Sequence, residues 1–309
     1  MITREIVDYV SKEKNITELV FLEKDLILHQ LLFLLETEKY SYFLDNYLFK
    51  GGTCLTKCHL GYFRFSEDLD FTYLNKGQFK DKSQKQISRD ISDILKIVFP
   101  LIEELSKELN LDFKILNDNH NYIQYGGSNK FVTMKLRYSS VVSNKESFVK
   151  IQINFIEDLK YPHLEKQAIT ILNGLSENKQ KEFLYLFPNF SELLRPTKIK
   201  CYDIREILLE KNRAILTRRG IKARDFVDVY LILKHLNENA IIYKDKIVEK
   251  TKSMLNYEKY DKNLKDKKKT GINFNIGDEQ NILLKELDPD FKVFMKEYLL
   301  FLNSILQEF

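Results

Sequence analysis

Apolar residues recur at helical spacing on more than one side of residues 18–38, ELVFLEKDLILHQLLFLLETE, a pattern that predicts a buried helix. YFLDNYLFKGG follows as a short apolar run closed by two glycines, the pattern of a strand ending in a tight turn. TCLTKCHL suits a helix that starts directly after that turn, and the alternation in RFSEDLDFTYL predicts a second strand. A long helix is expected at QISRDISDILKIVFPLIEELSKEL, with further strands at NKFVTMKLRYSS and SFVKIQINFIEDL. After LRPTKIKCYD nearly everything has helical period. The chain is therefore expected to divide near Arg195–Pro196, into a mixed α and β part (residues 1–195) and a helical part (residues 196–309).

A length of 309 residues leaves room for two domains with separate cores. Hydrophobic residues at 44% and charged residues at 30% are the balance of a globular protein and exclude global disorder. No apolar run reaches the roughly 18 residues of a membrane span. The opening MITREIVDYVSKEKN has no apolar core of a secretory signal, so neither a membrane nor export is expected. Cys54, Cys58 and Cys201 are an odd number without framework spacing, which fits a reducing cytoplasm. With His59 adjacent but no second ligand cluster in sequence, Cys54 and Cys58 read as small core residues rather than a zinc site. The net charge is +4, and basic residues gather in Lys211–Arg224 and Lys259–Lys269. Either segment can meet phosphate, although the second reads better as a solvated face.

The candidate chemistry lies in GGTCLTKCHLGYFRFSEDLDF. Strand residues alternate between faces, so Arg64, Ser66, Asp68 and Asp70 share one side while Phe65, Leu69 and Phe71 supply the other. Glu67 interrupts the apolar side, as it would if the strand began after it. Two carboxylates about 7 Å apart on one strand face can share a hard divalent cation. A Gly-Gly turn at a helix start lets phosphate approach backbone N–H groups and the positive end of the helix dipole. Thr53 adds a hydroxyl there, and Lys57, four residues on, lies on the same helical face. The Gly51–Thr53 turn and Lys57 are thus candidates for the β and γ phosphates, and Arg64 and Ser66 for phosphate or sugar. The set is equipment for a nucleoside triphosphate with magnesium. No Ser/His/Asp arrangement and no Walker-type loop accompanies it.

KGGTCLTK…RFSEDLDF resembles the signature of the AbiEii/AbiGii toxin family, which includes MenT-like toxins, within the nucleotidyltransferase superfamily. FLEKDLILHQLL ahead of it and REILLEKNRAILTRRGIKARDFVDVYLI after it are similar to further blocks of that family, in the family's order. The resemblance implies an α+β protein. A minimal nucleotidyltransferase fold, a mixed sheet flanked by helices, would be followed by a C-terminal helical bundle. It implies that Gly52 and Thr53 cradle the triphosphate, that Asp68 and Asp70 hold Mg2+ (or Mn2+), and that Lys211 and Asp225 are functional. It further implies a transferase that uses a nucleoside triphosphate and acts on the 3′ end of transfer RNA or another RNA. A cognate antitoxin and a cytoplasmic site of action complete that expectation. Transfer to a protein or small molecule, or nucleotide and RNA binding without catalysis, are the alternatives.

The residues of the second half raise their own questions. Lys211 falls in the apolar stripe Ile204, Ile207/Leu208 and Ile215, so it must snorkel or meet a negative partner. ARDFVDVYLILKHL is apolar over most of its circumference, so Asp225 and Asp228 need donors. Arg224 can pair with Asp228 one turn on, and Asp225 is expected to face Lys211 or a bound hydroxyl. Many polymerase-like nucleotidyltransferases carry a third carboxylate on a neighbouring strand. In KIQINFIED the alternating positions hold Gln152 and Asn154, with Glu157 and Asp158 late, and an amide is a poor base. Either Asp225 helps to activate the acceptor, or activity is weak. Lys135 and Arg137 share a face that either touches phosphate or RNA, or is simply solvated.

Overall fold

Seven strands make one mixed sheet: β1 (Tyr47–Lys50), β2 (Asp68–Tyr73), β3 (Ile123–Gly126), β4 (Phe131–Ser139), β5 (Glu146–Asn154), β6 (Leu164–Ala168) and β7 (Thr197–Cys201). Their order is β3-β4-β5-β2-β1-β7-β6. β1 runs antiparallel to β2 and parallel to β7, while β2 runs parallel to β5. The computed structural model describes residues 1–116, 119–127, 129–274 and 283–309. It divides into a first unit, Met1–Glu157 with His163–Cys201, and a second, Asp158–Pro162 with Tyr202–Phe309.

In the first unit the sheet is flanked by α1 (Arg4–Lys14), α2 (Leu19–Glu36), α3 (Ser41–Asn46), α4 (Gly51–Cys54), α5 (Gln84–Glu108) and α6 (Glu177–Leu186). The short α4 continues as a π-helix over Leu55–Leu60. Strand alternation divides the central sheet into two faces. Leu69 and Phe71 of β2, Val132 and Met134 of β4, and Ile151 and Ile153 of β5 are fully buried. Each such side chain contributes about 1.5–3 kcal/mol of burial. The alternate positions Asp68, Asp70, Lys150 and Gln152 are half-buried. α2 is buried nearly all round, including Asp25 and His29, as its two-sided apolar pattern requires. α5 begins with a capping box in which Ser83 and Gln86 satisfy each other's backbone N–H groups.

The second unit contains α7 (Ile204–Thr217), α8 (Ala223–Leu236), α9 (Lys244–Lys252), α10 (Glu258–Thr270) and α11 (Asp290–Leu306). The Asp203 side chain accepts from the Arg205 N–H at 2.9 Å and caps α7. At its other end, buried Lys267 from α10 donates to the carbonyls of Ile215 and Gly220. Burial, above all, pulls the Lys267 ammonium down to about 8. Asp158–Pro162 is anchored by Glu206, whose Oε2 accepts from the backbone N–H groups of Lys160 and Tyr161 at 2.7 and 2.9 Å. Buried Lys250 pairs with the same carboxylate and donates to the Asp158 carbonyl at 3.0 Å.

Two features differ from the sequence expectation. The first part of YFLDNYLFKGG is helical (α3), with Phe43 buried and the Asn46 amide donating to the Tyr42 carbonyl at 2.8 Å. So short an aromatic run carries no clear period. The sheet also includes β7, beyond Arg195–Pro196, while Asp158–Pro162 belongs with the helices, so the units are not two uninterrupted stretches. Residues 275–282, part of the stretch expected to be helical, lie outside the described residues. Among the described residues no helix is long and apolar enough to cross a membrane.

Candidate active site

The end of β1 sets the geometry of the first unit's site. Gly51 follows Lys50 with φ +76°, a left-handed conformation that side chains resist. Asp70 sits opposite Lys50 in the β1–β2 register. A Cβ on Gly51 would stand 2.3 Å from Asp70 Oδ2, so glycine is required for space as well as for backbone angle. A Cβ on Gly52 would stand 2.5 Å from Arg64 Nη2 and 3.1 Å from Ser66 Oγ. The two glycines are thus bracketed by Asp70 on one side and by Arg64 and Ser66 on the other. Arg64 is buried, and its Nη1 donates to the Phe65 carbonyl at 2.6 Å. β2 itself starts at Asp68, directly after Glu67, so Arg64 and Ser66 belong to the connection that precedes it.

Asp68 and Asp70 share the half-buried face of β2, opposite buried Leu69 and Phe71. Oxygen donors on one partly open strand face, beside a turn that a single Cβ would fill, fit a hard divalent cation. Lys150 Nζ lies 3.2 Å from Asp68 Oδ1. The β2–β5 register pairs Asp68 with Lys150, Asp70 with Gln152 and Thr72 with Asn154. No carboxylate therefore faces the pair from β5. Glu157 is buried, accepting from the Asn154 amide at 2.7 Å and pairing with Lys50 at 3.4 Å. Lys150 escaped the sequence reading, because its nearness to Asp68 depends on a cross-strand register that one sequence does not print.

Thr53 and Lys57 do share a helical face, but it is the inner one. Thr53 is buried, and its Oγ1 donates to the Asp68 carbonyl at 2.5 Å, fastening the helix start to β2. The Lys57 side chain is wholly buried, with Nζ 2.9 Å from Asp25 Oδ1 and in contact with the Tyr62 hydroxyl. Tyr62 donates in turn to Asp25 Oδ2 at 2.7 Å. Burying a lysine this far demands such partners. Lys57 thus holds α2 against the segment after the turn, and the phosphate role expected of it is not carried forward.

Within the second unit, Lys211 and Asp225 come together. Lys211 Nζ lies 2.8 Å from Asp225 Oδ1 and 2.6 Å from Asp228 Oδ2, and Arg218 Nη1 lies 2.6 Å from Asp225 Oδ2. The lysine in the apolar stripe therefore meets two buried carboxylates, and Asp228 has Lys211 as a partner. Burial pushes the Asp225 carboxyl up, but the charges of Lys211 and Arg218 outweigh it and hold it below 3.8. A carboxylate so stabilised is a poor proton acceptor.

A strand, a left-handed glycine turn, a helix start and two carboxylates on the next strand suit phosphate groups and a divalent cation. Residues 34–308 match the family model described as "Nucleotidyl transferase AbiEii toxin, Type IV TA system". The chain belongs to this family of nucleotidyltransferase toxins of type IV toxin–antitoxin systems, and membership implies a nucleotide substrate and a cognate antitoxin. Among solved structures, the chain is similar to the nucleotidyltransferase toxin MenT4 of Mycobacterium tuberculosis, with 16% identity and a TM-score of 0.55. That match covers 100% of this chain and 91% of the other. JHP933 from Helicobacter pylori matches at 18% identity and a TM-score of 0.40, over 94% of this chain and 91% of its own. The MenT4 likeness shows the shared fold. No curated protein matches the sequence significantly.

Proposed function

We propose that this protein transfers a nucleoside monophosphate from a nucleoside triphosphate to the 3′ end of a transfer RNA, in the cytoplasm, with magnesium or manganese as cofactor. The acceptor oxygen forms a bond to the α-phosphorus, the bond to the β-phosphate bridge breaks, and pyrophosphate leaves. The observation that carries this reading is the close approach of Asp70 to Gly51. It leaves no room for a Cβ on Gly51, and it sets a carboxylate beside the backbone of the turn. Asp68 and Asp70 would hold the cation, which supplies charge neutralisation for the attacking and leaving oxygens.

The remaining work falls to the chain. Gly51, Gly52 and the start of α4 offer backbone donors to the triphosphate, while Arg64 and Ser66 border the same turn and suit phosphate or sugar. The family resemblance assigns Lys211 and Asp225 to the reaction. Asp225, held ionised, orients Lys211 rather than taking the acceptor's proton, which passes to water or to the departing pyrophosphate. The first unit is the nucleotidyltransferase domain, and the helical second unit, with its Lys211–Arg224 segment, binds nucleic acid.

The test is incubation with each of the four α-labelled triphosphates and purified transfer RNA, comparing the native chain with Asp70→Asn. Label should appear at the RNA 3′ end only with a divalent cation, and fall at least about a hundredfold in the variant. Equal labelling by both would end the proposal. Gln152 opposite Asp70 favours a second reading, a nucleotide- or RNA-binding module without catalysis. Its mark would be nucleotide binding that survives Asp68→Ala, with no transfer by the native chain.

A further inference from the structure

The three cysteines are far apart in the chain and together in the first unit. Cys54, Cys58 and Cys201 are buried free thiols, and their Sγ atoms all lie within 4.8 Å of one another. The sheet explains how the third arrives. Cys201 ends β7 and stands in register with Phe49 of β1, just ahead of the glycine turn from which the helical segment of Cys54 and Cys58 departs.

That segment has an uncommon winding. In an α-helix residues i and i+5 diverge by about 140°, which would turn His59 away from Cys54. Leu55–Leu60 is instead a π-helix, whose i→i+5 pattern brings the fifth residue back over the first. His59 is half-buried there, and its imidazole hydrogen-bonds with the Cys201 sulfur. Three sulfurs thus converge, and the imidazole borders one of them, Cys201. Simple packing asks only for small apolar groups and gives no reason for the imidazole.

Three buried sulfurs within reach of one another suit a soft cation.

We propose that Cys54, Cys58 and Cys201 bind one zinc ion, and that the adjacent His59 turns its ring to the ion and closes a tetrahedral site. Zn–S bonds of about 2.3 Å separate tetrahedral sulfurs by about 3.8 Å, so sulfurs now within 4.8 Å need draw in by no more than about 1 Å. Binding releases the thiol protons to water. All four positions are filled by protein, so the ion performs no chemistry. It clamps the helical segment after the glycine turn to the end of β7. The inference stands independently of nucleotidyl transfer.

Purified full-length protein, reduced and never exposed to chelator, should contain about one zinc per chain by mass spectrometry, released when a mercurial caps the thiols. Cys201→Ser should lower that content at least about tenfold. Metal-free protein titrated with Co2+ should develop the thiolate-to-cobalt charge-transfer band and intense visible bands of a tetrahedral site. These should saturate near one equivalent and vanish on adding Zn2+. His59→Ala should keep the charge-transfer band and alter the visible ones. Should a cysteine variant fail to fold, the native chain's cobalt spectrum decides alone. Three titratable thiols with neither bound zinc nor a tetrahedral cobalt spectrum overturn the proposal. A disulfide that, once reduced, still leaves the chain unable to take up metal does the same.

Discussion

Gly51 and Gly52 are neighbours under different constraints. A side chain on Gly51 meets both a left-handed φ and the Asp70 carboxylate, whereas one on Gly52 meets chiefly the end of the Arg64 guanidinium. Gly51→Ala is therefore expected to cost about 1–3 kcal/mol in urea unfolding followed by circular dichroism. It should also lower label transfer at least about a hundredfold, because the Asp70 carboxylate has to move. Gly52→Ala should lose less of both. Transfer at the native level by Gly51→Ala would show that the close approach serves only the turn. At this scale much of the site was legible, because the glycines, Arg64, Ser66 and the aspartates lie within a few turns of chain. Lys57 was legible in its helical face but not in its direction. Its partner Asp25 is on α2, and sequence spacing does not say which face of a short helix looks inward.

Among the elements, the β2–β5 pair carries the consequence. Lys150 and Asp68 are both partly exposed, so their ion pair is worth at most about 1 kcal/mol to stability. Its effect on cation binding is larger in proportion, since the ammonium competes for a carboxylate that the cofactor needs. Lys150→Ala should leave the unfolding midpoint nearly unchanged and lower the magnesium concentration for half-maximal transfer several-fold. An unchanged or raised requirement would mean that Lys150 serves substrate rather than opposing the cation. Strands β2, β4 and β5 were readable because their alternation is clean. β3 and β6 lie at the two edges of the sheet, where there is little apolar face to read, and β6 is exposed at its central positions. β7 does alternate, but its buried positions Thr197, Ile199 and Cys201 include only one large apolar residue.

For the whole molecule, acid should act on the second unit through Asp225. Its folded carboxyl titrates below 3.8, so the stability it contributes is present above that value and lost as pH falls through the lower, folded one. Asp225→Asn should cost about 1.5–3 kcal/mol at neutral pH, the range of a hydrogen bond to a charged group. It should also flatten the fall of the unfolding midpoint below about pH 4. A fall of undiminished steepness would place the acid limit in other carboxylates. The helical character of this half was plain from its period. The division of the chain was not, since nothing local marks Asp158–Pro162 as partner to Glu206 and Lys250.

That short insertion governs how the protein can be taken apart. The backbone leaves the first unit after Glu157, returns at His163 and departs again after Cys201. No single cut in the gene yields two self-sufficient halves. A fragment that begins at Tyr202 would carry Glu206 without the amides it serves, and one that stops at Cys201 would trail an orphaned loop. Recombination that swaps either half among relatives must bring this stitch along.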